Sequence, residues 1–272
     1  MIYEGLFLIG DEMIKLIASD LDGTLLQNGS TEVPREIFEW IIKLKERGII
    51  FAAASGRQYH SLRNLFEPVK DDIAYICENG ALTIYQGEII DRQEIPKELG
   101  QEIIRLIEAE EETEALISGT YTSYINPKSP DYEERIRFLG NQYKIVSDLT
   151  EIGEPYIKIA LYEKAGAEDN DRQKYWQEKM PESVKVVTSG NDWLDMLFPW
   201  IHKGVGMKAL SKHLGIEKEE TMSFGDNYND VEMFETSGVA VAVNTQKDGL
   251  LKRCTYTSDT VAGFLHEFFQ DL

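Results

Sequence analysis

The sequence predicts an α/β fold, in which a doubly wound parallel sheet is interrupted by an inserted α+β segment. Three observations predict it. Apolar runs of strand length alternate with amphipathic helical stretches in both terminal regions of the chain, which is typical of a parallel sheet. Polar clusters follow directly after several of these runs, where doubly wound sheets bind ligands. The middle of the chain departs from this pattern with a hairpin signal, which parallel-sheet proteins use sparingly.

The strands of the parallel sheet are expected at apolar runs 13–19, 49–54, 73–77, 221–224 and 239–243. Between the first two runs, residues 34–47 place Ile37, Ile41 and Leu44 on one face of a helix. Further helical stretches follow the second and fourth runs, and a helix ends the chain. Helices between parallel strands are the crossovers that such a sheet requires.

The hairpin signal is Gln86-Gly87, between the runs 81–85 and 88–90. We interpret it as the boundary of an inserted domain, because the pattern beyond it changes. Helices are expected at 96–110, at 167–179 and from Ser129 onward, with Pro130 in the first turn of the last of these. Strands are expected across 115–125 and at 156–162 and 184–188. The sequence therefore predicts a discontinuous core, 1–85 and 193–272, and an inserted α/β domain at 86–192.

The charge balance excludes two classes of partner. The chain has 272 residues, and 28 Lys+Arg against 48 Asp+Glu give a formal net charge of −20. Nucleic acids and anionic membranes bind clustered positive charge, so neither is expected as a partner. Any anionic ligand must therefore be held by local groups. The hydrophobic content of 42% is that of a globular protein.

Targeting and cysteine signals are few. No stretch approaches the ~18 uninterrupted apolar residues that a membrane helix needs, and the N-terminus lacks the positive start of a signal peptide. Cys77 and Cys254 each lie beside an expected strand and form no metal-binding cluster, which favours buried thiols in a reducing compartment. A disulfide between them is the less favoured alternative. These features predict a soluble, cytoplasmic protein.

The first acidic motif, Asp20-Leu21-Asp22-Gly23-Thr24, follows the first strand. Residues i and i+2 of an extended chain point the same way, so Asp20 and Asp22 present two carboxylates to one site. These like charges require a nearby cation, or one carboxyl must stay protonated. A turn rich in Asp and Gly is the structural alternative, but the position after a buried strand argues against it.

A second acidic cluster, residues 225–230 (GDNYND), follows the strand at 221–224. A surface turn and a calcium loop are the alternatives. The calcium loop fails because a pattern started at Asp226 puts Tyr228 at its third position and Val231 where glycine is required. Oxygen ligands from two separate loops suit Mg²⁺, which accepts a bound phosphate as a further ligand. The four histidines show no zinc-binding spacing.

Two further groups are candidates for binding an anion. Ser55-Gly56-Arg57 follows an apolar strand, where a hydroxyl and backbone N–H groups can meet a phosphate at the start of a helix; the same letters also form common turns. Lys203 begins the helical stretch 203–214, where a cation opposes the helix dipole by roughly a few tenths of a kcal/mol. Such a lysine either has an anionic partner or is a solvated surface residue.

Two other function classes fit parts of the sequence. Residues 204–209 (GVGMKA) match a loose dinucleotide-binding pattern with Asp226 about 20 residues on, which would indicate an NAD(P)-dependent oxidoreductase. Pro199, His202 and Lys203 interrupt the strand that should precede those glycines, which argues against it. A phosphoacceptor signalling domain would use a similar acidic pair and lysine, but at roughly 120 residues it would lack the insertion.

Taken together, four segments resemble, in order, the four motifs of the haloacid dehalogenase (HAD) superfamily: 20–26 (DLDGTLL), 55–57 (SGR), 203–204 (KG) and 225–230 (GDNYND). With residues 76–81 (ICENGA) and the large insertion, the chain is similar to the Cof-type sugar-phosphate phosphatases, which carry the larger α/β cap. The resemblance covers the chain except residues 1–12, which look like an extension before Met13. It implies a Rossmann-like core, an inserted α+β cap domain and a Mg²⁺-dependent phosphatase.

The resemblance also implies roles for the acidic residues. Asp20 is expected to attack phosphorus and form an aspartyl-phosphate, and Asp22 to act as acid and then as base. Mg²⁺ is expected to bind Asp20, the backbone carbonyl of Asp22, Asp226 and the substrate phosphate, with Asp230 orienting its water ligands. The neighbouring Asp20 and burial are expected to keep a proton on Asp22, because an ordinary carboxyl is ionised at neutral pH and is a poor acid there.

Further positions resemble residues that bind the phosphate or the leaving group: Ser55, Gly56, Arg57, Asn79, Lys203 and Asn229. Ser55, Gly56 and Lys203 are expected to hold phosphoryl oxygens, and Asn229 to hold Lys203 or the phosphate. Arg57 and Asn79 are expected to contact the leaving group. The expected partner is therefore a small phosphorylated metabolite, and a phosphomutase of the same superfamily is the alternative enzyme.

Overall fold

The chain divides into two compact units. The structure, a computed structural model, describes residues 14–164, 170–189 and 192–269. Met1–Asp91 with His202–Leu272 forms the first unit, and Arg92–Ile201 forms the second. The suggested N-terminal extension, residues 1–12, lies outside the described residues.

The secondary structure alternates between strands and helices at both ends of the chain. The strands are β1 (Leu16–Ser19), β2 (Ile50–Ala54), β3 (Ala74–Cys77), β4 (Leu82–Tyr85), β5 (Glu88–Arg92), β6 (Thr113–Ser118), β7 (Ser123–Ile125), β8 (Tyr143–Ile145), β9 (Lys158–Glu163), β10 (Lys185–Thr188), β11 (Trp193–Leu197), β12 (Thr221–Gly225), β13 (Val239–Val243) and β14 (Tyr256–Ser258). The helices are α1 (Arg35–Glu46), α2 (Tyr59–Leu65), α3 (Lys97–Glu108), α4 (Pro130–Phe138), α5 (Asn170–Lys179), α6 (Lys203–Leu214), α7 (Val231–Glu235), α8 (Asp248–Leu251) and α9 (Val261–Phe268).

The first unit contains an eight-stranded sheet in the order β14-β13-β12-β1-β2-β3-β4-β5. The strands from β14 to β3 are parallel to their neighbours, and β4 pairs antiparallel with β3. From β1 the chain runs outward through β2 and β3, whereas β12 lies on the other side of β1 and leads to β13 and β14. The strand order therefore reverses between β1 and β12, which is where doubly wound sheets place their ligand site.

Both faces of the central strands are covered, which is why these strands are continuous apolar runs. Leu16 and Ala18 of β1 pack in one core cluster with Ile76 of β3 and with Met207 and Leu210 of α6. Helix α1 buries the face that its periodicity predicts, together with one tryptophan: Ile37, Trp40, Ile41 and Leu44. This packing holds the carboxyl ends of β1 and β12 side by side.

The predicted α/β class is confirmed, and the predicted elements of this unit are found with small changes at their ends. Within the run 13–19, whose first residue lies outside the described residues, the strand is Leu16–Ser19, and the helix predicted at 34–47 is Arg35–Glu46. The hairpin forms at Gln86-Gly87, whose φ angles are 51° and 79°. Two residues with positive φ are what a two-residue hairpin turn of the right twist requires.

The second unit contains a six-stranded sheet in the order β10-β11-β9-β6-β7-β8. Its pairs are antiparallel except for β7 with β8. Tyr132 and Ile136 of α4 pack against Leu116, Ile125 and Trp193 of this sheet. The unit is thus α+β, as predicted. Strand β8 was not predicted from the sequence, because it is a three-residue edge strand that is largely exposed.

The ends of the second unit differ from the limits expected at 86 and 192. Strand β5 lies in the first sheet, so the hairpin belongs to the first unit although its turn signal suggested a boundary. Strand β11 pairs with β9 and β10, so it belongs to the second sheet. The second unit accordingly starts at Arg92 and ends at Ile201.

Both cysteines are free thiols, as the sequence favoured, and the disulfide alternative is wrong. Burial raises the pKa of Cys77, which is fully enclosed, and also the pKa of the partly buried Cys254. Both thiols are therefore weak nucleophiles. Among the described helices, none has the length and apolar character needed to cross a membrane.

Candidate active site

Polar side chains follow three neighbouring strands at the switch point of the first sheet. Asp20 follows β1, Ser55 follows β2 and Asp226 follows β12. Because parallel strands end at the same edge of a sheet, the three loops lie next to one another at that edge. The candidate site described below is built from residues of the first unit.

The loop after β1 is a tight turn held by its own backbone. The N–H groups of Thr24 and Leu26 donate to the carbonyl of Leu21, and the N–H of Gly23 donates to the carbonyl of Leu26. Gly23 has a φ of 97°, and a Cβ at this position would lie 2.5 Å from a carboxylate oxygen of Asp226. Glycine therefore allows both the turn and the approach of Asp226.

Lys203 is the charged centre of the site. Its side chain is fully buried, and its Nζ lies 2.5 Å from Asp20 Oδ1 and 2.6 Å from Asp230 Oδ1. Lys203 is the first residue of α6, so the helix start brings the ammonium to the strand ends. A buried ammonium is costly unless it is paired, and the two carboxylates supply those partners. The alternative of a solvated surface lysine is wrong.

Asp230 uses both carboxylate oxygens inside the protein. Oδ1 accepts from Lys203, and Oδ2 accepts from the backbone N–H groups of Asp226 and Asn227, each at 3.1 Å. Gly225 leaves room for this carboxylate, because a Cβ there would lie 2.5 Å from it. Asp230 thus orients both Lys203 and the 225–230 loop.

Thr24 connects the two acidic loops. Its hydroxyl lies 2.9 Å from Asp226 Oδ1 and 3.2 Å from Asp20 Oδ2. A hydroxyl can donate to one carboxylate at a time, so it ties the two groups together at close range. Thr24 was not predicted as a site residue, although its place four residues after Asp20 in the acidic motif is the available signal.

Burial and crowded negative charge shift the ionisation of this cluster. Burial raises the pKa of Asp20 to about 8; Lys203 opposes this rise, and Asp230 and Asp226 add to it. Burial likewise raises the pKa of Asp226. Burial alone would lower the pKa of Lys203, but its ion pairs with Asp20 and Asp230 outweigh burial and raise it. The site therefore needs a further cation if all its carboxylates are to be ionised at neutral pH.

The cluster has the donor chemistry of a hard-cation site. Carboxylate oxygens of Asp20, Asp226 and Asp230 lie within 4.8 Å of one another. Mg²⁺ binds one or two carboxylates and completes its coordination with water and phosphate oxygens. Two backbone N–H groups hold Oδ2 of Asp230 in place, whereas the Thr24 hydroxyl can donate to Asp20 or to Asp226 but not to both at once. Asp20 and Asp226 would therefore be the carboxylate ligands, and Asp230 would support them. The residues present fit Mg²⁺.

Asp22 lies outside the buried cluster. Its side chain is 57% exposed, and Arg57 binds it through two bonds, Nη2 to Oδ1 at 2.6 Å and Nε to Oδ2 at 3.0 Å. The expected burial of Asp22 is therefore wrong. The ion pair joins the loops after β1 and β2, a contact that the sequence did not indicate.

Ser55, Gly56 and Asn79 form one group of loop residues next to Arg57. The Asn79 N–H donates to the Ser55 carbonyl at 2.9 Å, and the Arg57 N–H donates to Ser55 Oγ at 3.2 Å. A Cβ on Gly56 would lie 3.2 Å from the side-chain amide of Asn79. Asn79 has a φ of 57°, which asparagine tolerates better than most residues. Their roles in binding the phosphate or leaving group stay predictions.

Asn229 is placed differently from expectation, and Lys247 lies at the site although the sequence did not indicate it. Asn229 is exposed, and in the described part of the chain Lys203 is held by carboxylates rather than by Asn229. Lys247 Nζ lies 3.3 Å from the carbonyl oxygen of Asp226 and 3.9 Å from its Oδ2. No local pattern marks Lys247, because it reaches the site only through the order of the strands.

The glycines of residues 204–209 serve the packing of α6. Gly204 and Gly206 lie inside this helix and not in a turn between a strand and a helix. A Cβ at Gly204 would lie 2.4 Å from the carbonyl oxygen of Glu232, and one at Gly206 would lie 2.5 Å from Cγ2 of Ile76. The interpretation of this stretch as a dinucleotide-binding loop is therefore wrong.

Comparison with known proteins identifies the family of this chain. The family model described as haloacid dehalogenase-like hydrolase matches residues 17–263, a span that includes all the residues of the candidate site. The chain belongs to this family. The predicted membership of the HAD superfamily and the prediction of an enzyme are thus confirmed.

Relatives of this HAD-like hydrolase carry phosphatase names. The 5-amino-6-(5-phospho-D-ribitylamino)uracil phosphatase of Escherichia coli (strain K12) is 27% identical over 89% of this chain and 90% of its own. A phosphatase of the same substrate name from Bacillus subtilis (strain 168) is 27% identical over 93% and 97%. The crystal structure of a Thermotoga maritima protein matches with a TM-score of 0.79 at 23% identity, covering 96% of this chain and 98% of that one, which supports the fold.

Proposed function

We propose that this HAD-like hydrolase is a Mg²⁺-dependent phosphatase that hydrolyses small phosphomonoesters through an aspartyl-phosphate on Asp20. The observation that carries the proposal is the buried ammonium of Lys203 between Asp20 and Asp230, next to Asp226. Phosphoryl transfer depends mainly on positioning and on neutralising the phosphoryl oxygens. A lysine and a divalent cation supply that charge locally in a chain of net charge −20. The phosphatase names of the relatives support the same class.

Asp20 is the proposed nucleophile. One of its oxygens pairs with Lys203 and the other lies 3.2 Å from the Thr24 hydroxyl, so the carboxylate is held at the end of β1. Bound Mg²⁺ supplies positive charge that offsets the phosphoryl oxygens and favours ionised carboxylates. Attack forms the bond from Asp20 to phosphorus and breaks the bond to the leaving alcohol oxygen. Water then hydrolyses the aspartyl-phosphate, so that one difficult displacement becomes two easier ones.

Asp22 is the proposed acid and base. It would give a proton to the leaving oxygen in the first step and take one from the attacking water in the second. In the structure its carboxylate is bound by Arg57 through both oxygens. For Asp22 to carry a proton on one oxygen, the bond from Arg57 to that oxygen must break, while the bond to the other oxygen can keep the carboxyl oriented.

The remaining predicted residues are proposed to bind the substrate. Ser55 and Gly56 would hold phosphoryl oxygens together with Lys203, as would the exposed Asn229. Asn79 would contact the leaving group from its position against Gly56.

We further propose that the second unit, Arg92–Ile201, is the cap that selects the leaving group. Its deletion should then reduce turnover of sugar phosphates more than turnover of small aryl phosphates. Equal loss of both substrates would assign the unit a structural role instead.

The proposed function is tested by phosphate release. The protein is stripped of metal with EDTA and assayed on a panel of sugar phosphates and other small phosphomonoesters, before and after Mg²⁺ is restored. Activity should be absent in EDTA and return with Mg²⁺, and it should be lost in Lys203→Met. Lys212→Met, which removes an exposed charge from the other end of α6, is the matched control. Full activity in EDTA would contradict the metal assignment, and transfer of phosphate to a second hydroxyl without release would indicate a mutase.

A further inference from the structure

Lys247 is a cation next to the carboxylate cluster that none of the sequence motifs includes. Its Nζ lies 3.3 Å from the Asp226 carbonyl oxygen and 3.9 Å from Asp226 Oδ2, and the two side chains are 38% and 15% exposed. Lys203 pairs with the other two carboxylates of the cluster. Within the described ranges, Lys247 is therefore the ammonium that the structure pairs with Asp226.

The fold places Lys247 there by three steps. Strand β13 lies beside β12 in the sheet, so the loop after β13 runs past Asp226. Asn244 has a φ of 44°, and this left-handed residue turns the chain at the end of β13. The carbonyl of Lys247 then accepts from the N–H groups of Leu250 and Leu251, at 2.9 and 3.0 Å. The backbone of Lys247 is thus fixed, and its side chain spans the remaining distance to Asp226.

The charge of the cluster depends on this lysine. Asp20, Asp226 and Asp230, when ionised, carry three negative charges, and Lys203 and Lys247 leave one of them uncompensated. Without Lys247 two negative charges would be uncompensated. The cluster without Lys247 would attract a divalent cation more strongly, because Lys247 repels a cation that approaches Asp226.

We propose that Lys247 is a tethered counter-ion of Asp226, which compensates this carboxylate in the metal-free protein and lowers the affinity of the site for free Mg²⁺. The inference rests on the proposed magnesium site. When Mg²⁺ binds at Asp226, the ammonium of Lys247 must either leave its carboxylate partner or stay close to a second cation. Both alternatives cost free energy and so lower the affinity for Mg²⁺. The half-exposed side chain has access to water when it moves aside. Lys247 is thus a positioning residue that acts through Asp226.

The test is titration calorimetry of Mg²⁺ into metal-free protein without substrate. Lys247→Met should bind Mg²⁺ about 3- to 10-fold more tightly than the unaltered protein at low salt, and the difference should shrink near ~0.5 M KCl because a half-exposed charge is screened. Lys247→Arg keeps the charge and should resemble the unaltered protein. Lys252→Met removes an exposed charge just beyond the same short helix and should leave the affinity unchanged.

Thermal unfolding provides a second readout. In EDTA, Lys247→Met should melt at a lower temperature than the unaltered protein, because Asp226 has lost its counter-ion, and saturating Mg²⁺ should close this gap. Lys247→Gln replaces the methionine variant if the latter does not fold. Unchanged or weaker Mg²⁺ binding by the neutral variants would overturn the inference alone. Absence of Mg²⁺ binding by the unaltered protein would overturn the proposed metal site and the inference with it.

Discussion

Arg57 and Asp22 form a two-point ion pair between the loops that follow β2 and β1, with Nη2 to Oδ1 at 2.6 Å and Nε to Oδ2 at 3.0 Å. Two parallel bonds of this kind need the planar guanidinium of arginine, which lysine cannot reproduce. Both side chains are substantially exposed, so the pair contributes little to stability. Its consequence is orientation, because it fixes the plane of the Asp22 carboxylate next to the buried cluster.

Replacing Arg57 with lysine or alanine should therefore impair catalysis and leave stability nearly unchanged. We expect kcat on alkyl phosphates to fall about 10-fold, because the acid is no longer oriented, and the free energy of unfolding to change by at most about 0.5 kcal/mol. In an Asp22→Asn background the same replacement should cause no further loss, because Arg57 acts through Asp22. For each replacement, steady-state kinetics of the unaltered protein, the two single variants and the double variant measures this dependence. Equal losses in both backgrounds would show direct contact with the substrate, as the sequence suggested.

Asp20→Asn and Asp22→Asn should separate the two roles of the aspartates. Without the carboxylate of Asp20 no phosphoenzyme should form with any substrate. In Asp22→Asn the leaving oxygen cannot be protonated, a contribution of about 10²–10⁴-fold, so alkyl phosphates should react very slowly. An aryl phosphate with an acidic phenol needs little protonation, so it should still phosphorylate Asp20 and then turn over slowly. Quenched-flow measurement should therefore show a burst of phenol.

Two outcomes of that experiment would contradict the assignment. One is a burst from Asp20→Asn, which would place the nucleophile elsewhere. The other is an equal loss of the first step for alkyl and aryl phosphates in Asp22→Asn, which would mean that Asp22 does not protonate the leaving group.

The parallel sheet could be predicted from the sequence because its strands are buried on both faces. A strand such as Val239–Val243 has no polar alternation and so stands out as an apolar run, with the ligand loops after it. The limits of the inserted unit could not be placed in this way. The turn at Gln86-Gly87 marks a hairpin, but nothing local shows that β5 stays in the first sheet or that β11 pairs with β9.

The same distinction applies to the site. Asp20 and Asp22 were found because their spacing is local, and Lys203 because it begins a helix where a cation needs a partner. The partners themselves are long-range: Asp230 for Lys203, and Lys247 for Asp226. The spacing of Asp20 and Asp22 also predicts that both carboxylates face one site, without distinguishing them. In the structure Asp20 is buried and Asp22 is exposed.

Gly206→Ala should destabilise the protein by overpacking α6 against the sheet. The added Cβ would lie 2.5 Å from Cγ2 of Ile76 and 2.9 Å from Oγ1 of Thr83, and such overpacking costs about 1–3 kcal/mol. The higher helix propensity of alanine offsets part of this, by up to about 1 kcal/mol. Lys208→Ala, at an exposed position of the same helix, is the control and should change stability by about 0.5 kcal/mol or less. Urea unfolding of both variants measures the difference, and equal stability would contradict the packing role.

The stability of Asp20→Asn relative to the unaltered protein, both free of metal, should increase as the pH rises. Burial raises the pKa of Asp20 from 3.8 to about 8, so between these values the folded protein holds a proton that the unfolded chain releases. The stability linked to this proton is complete below the lower value and is lost as the pH rises through the upper one. Asparagine has no such proton, so the stability of the variant relative to the unaltered protein should rise from about pH 4 to about pH 8, by roughly a few kcal/mol, and then level off. Urea unfolding in EDTA across this range measures it, and a difference that stays constant or falls with pH would contradict the burial of an ionisable Asp20.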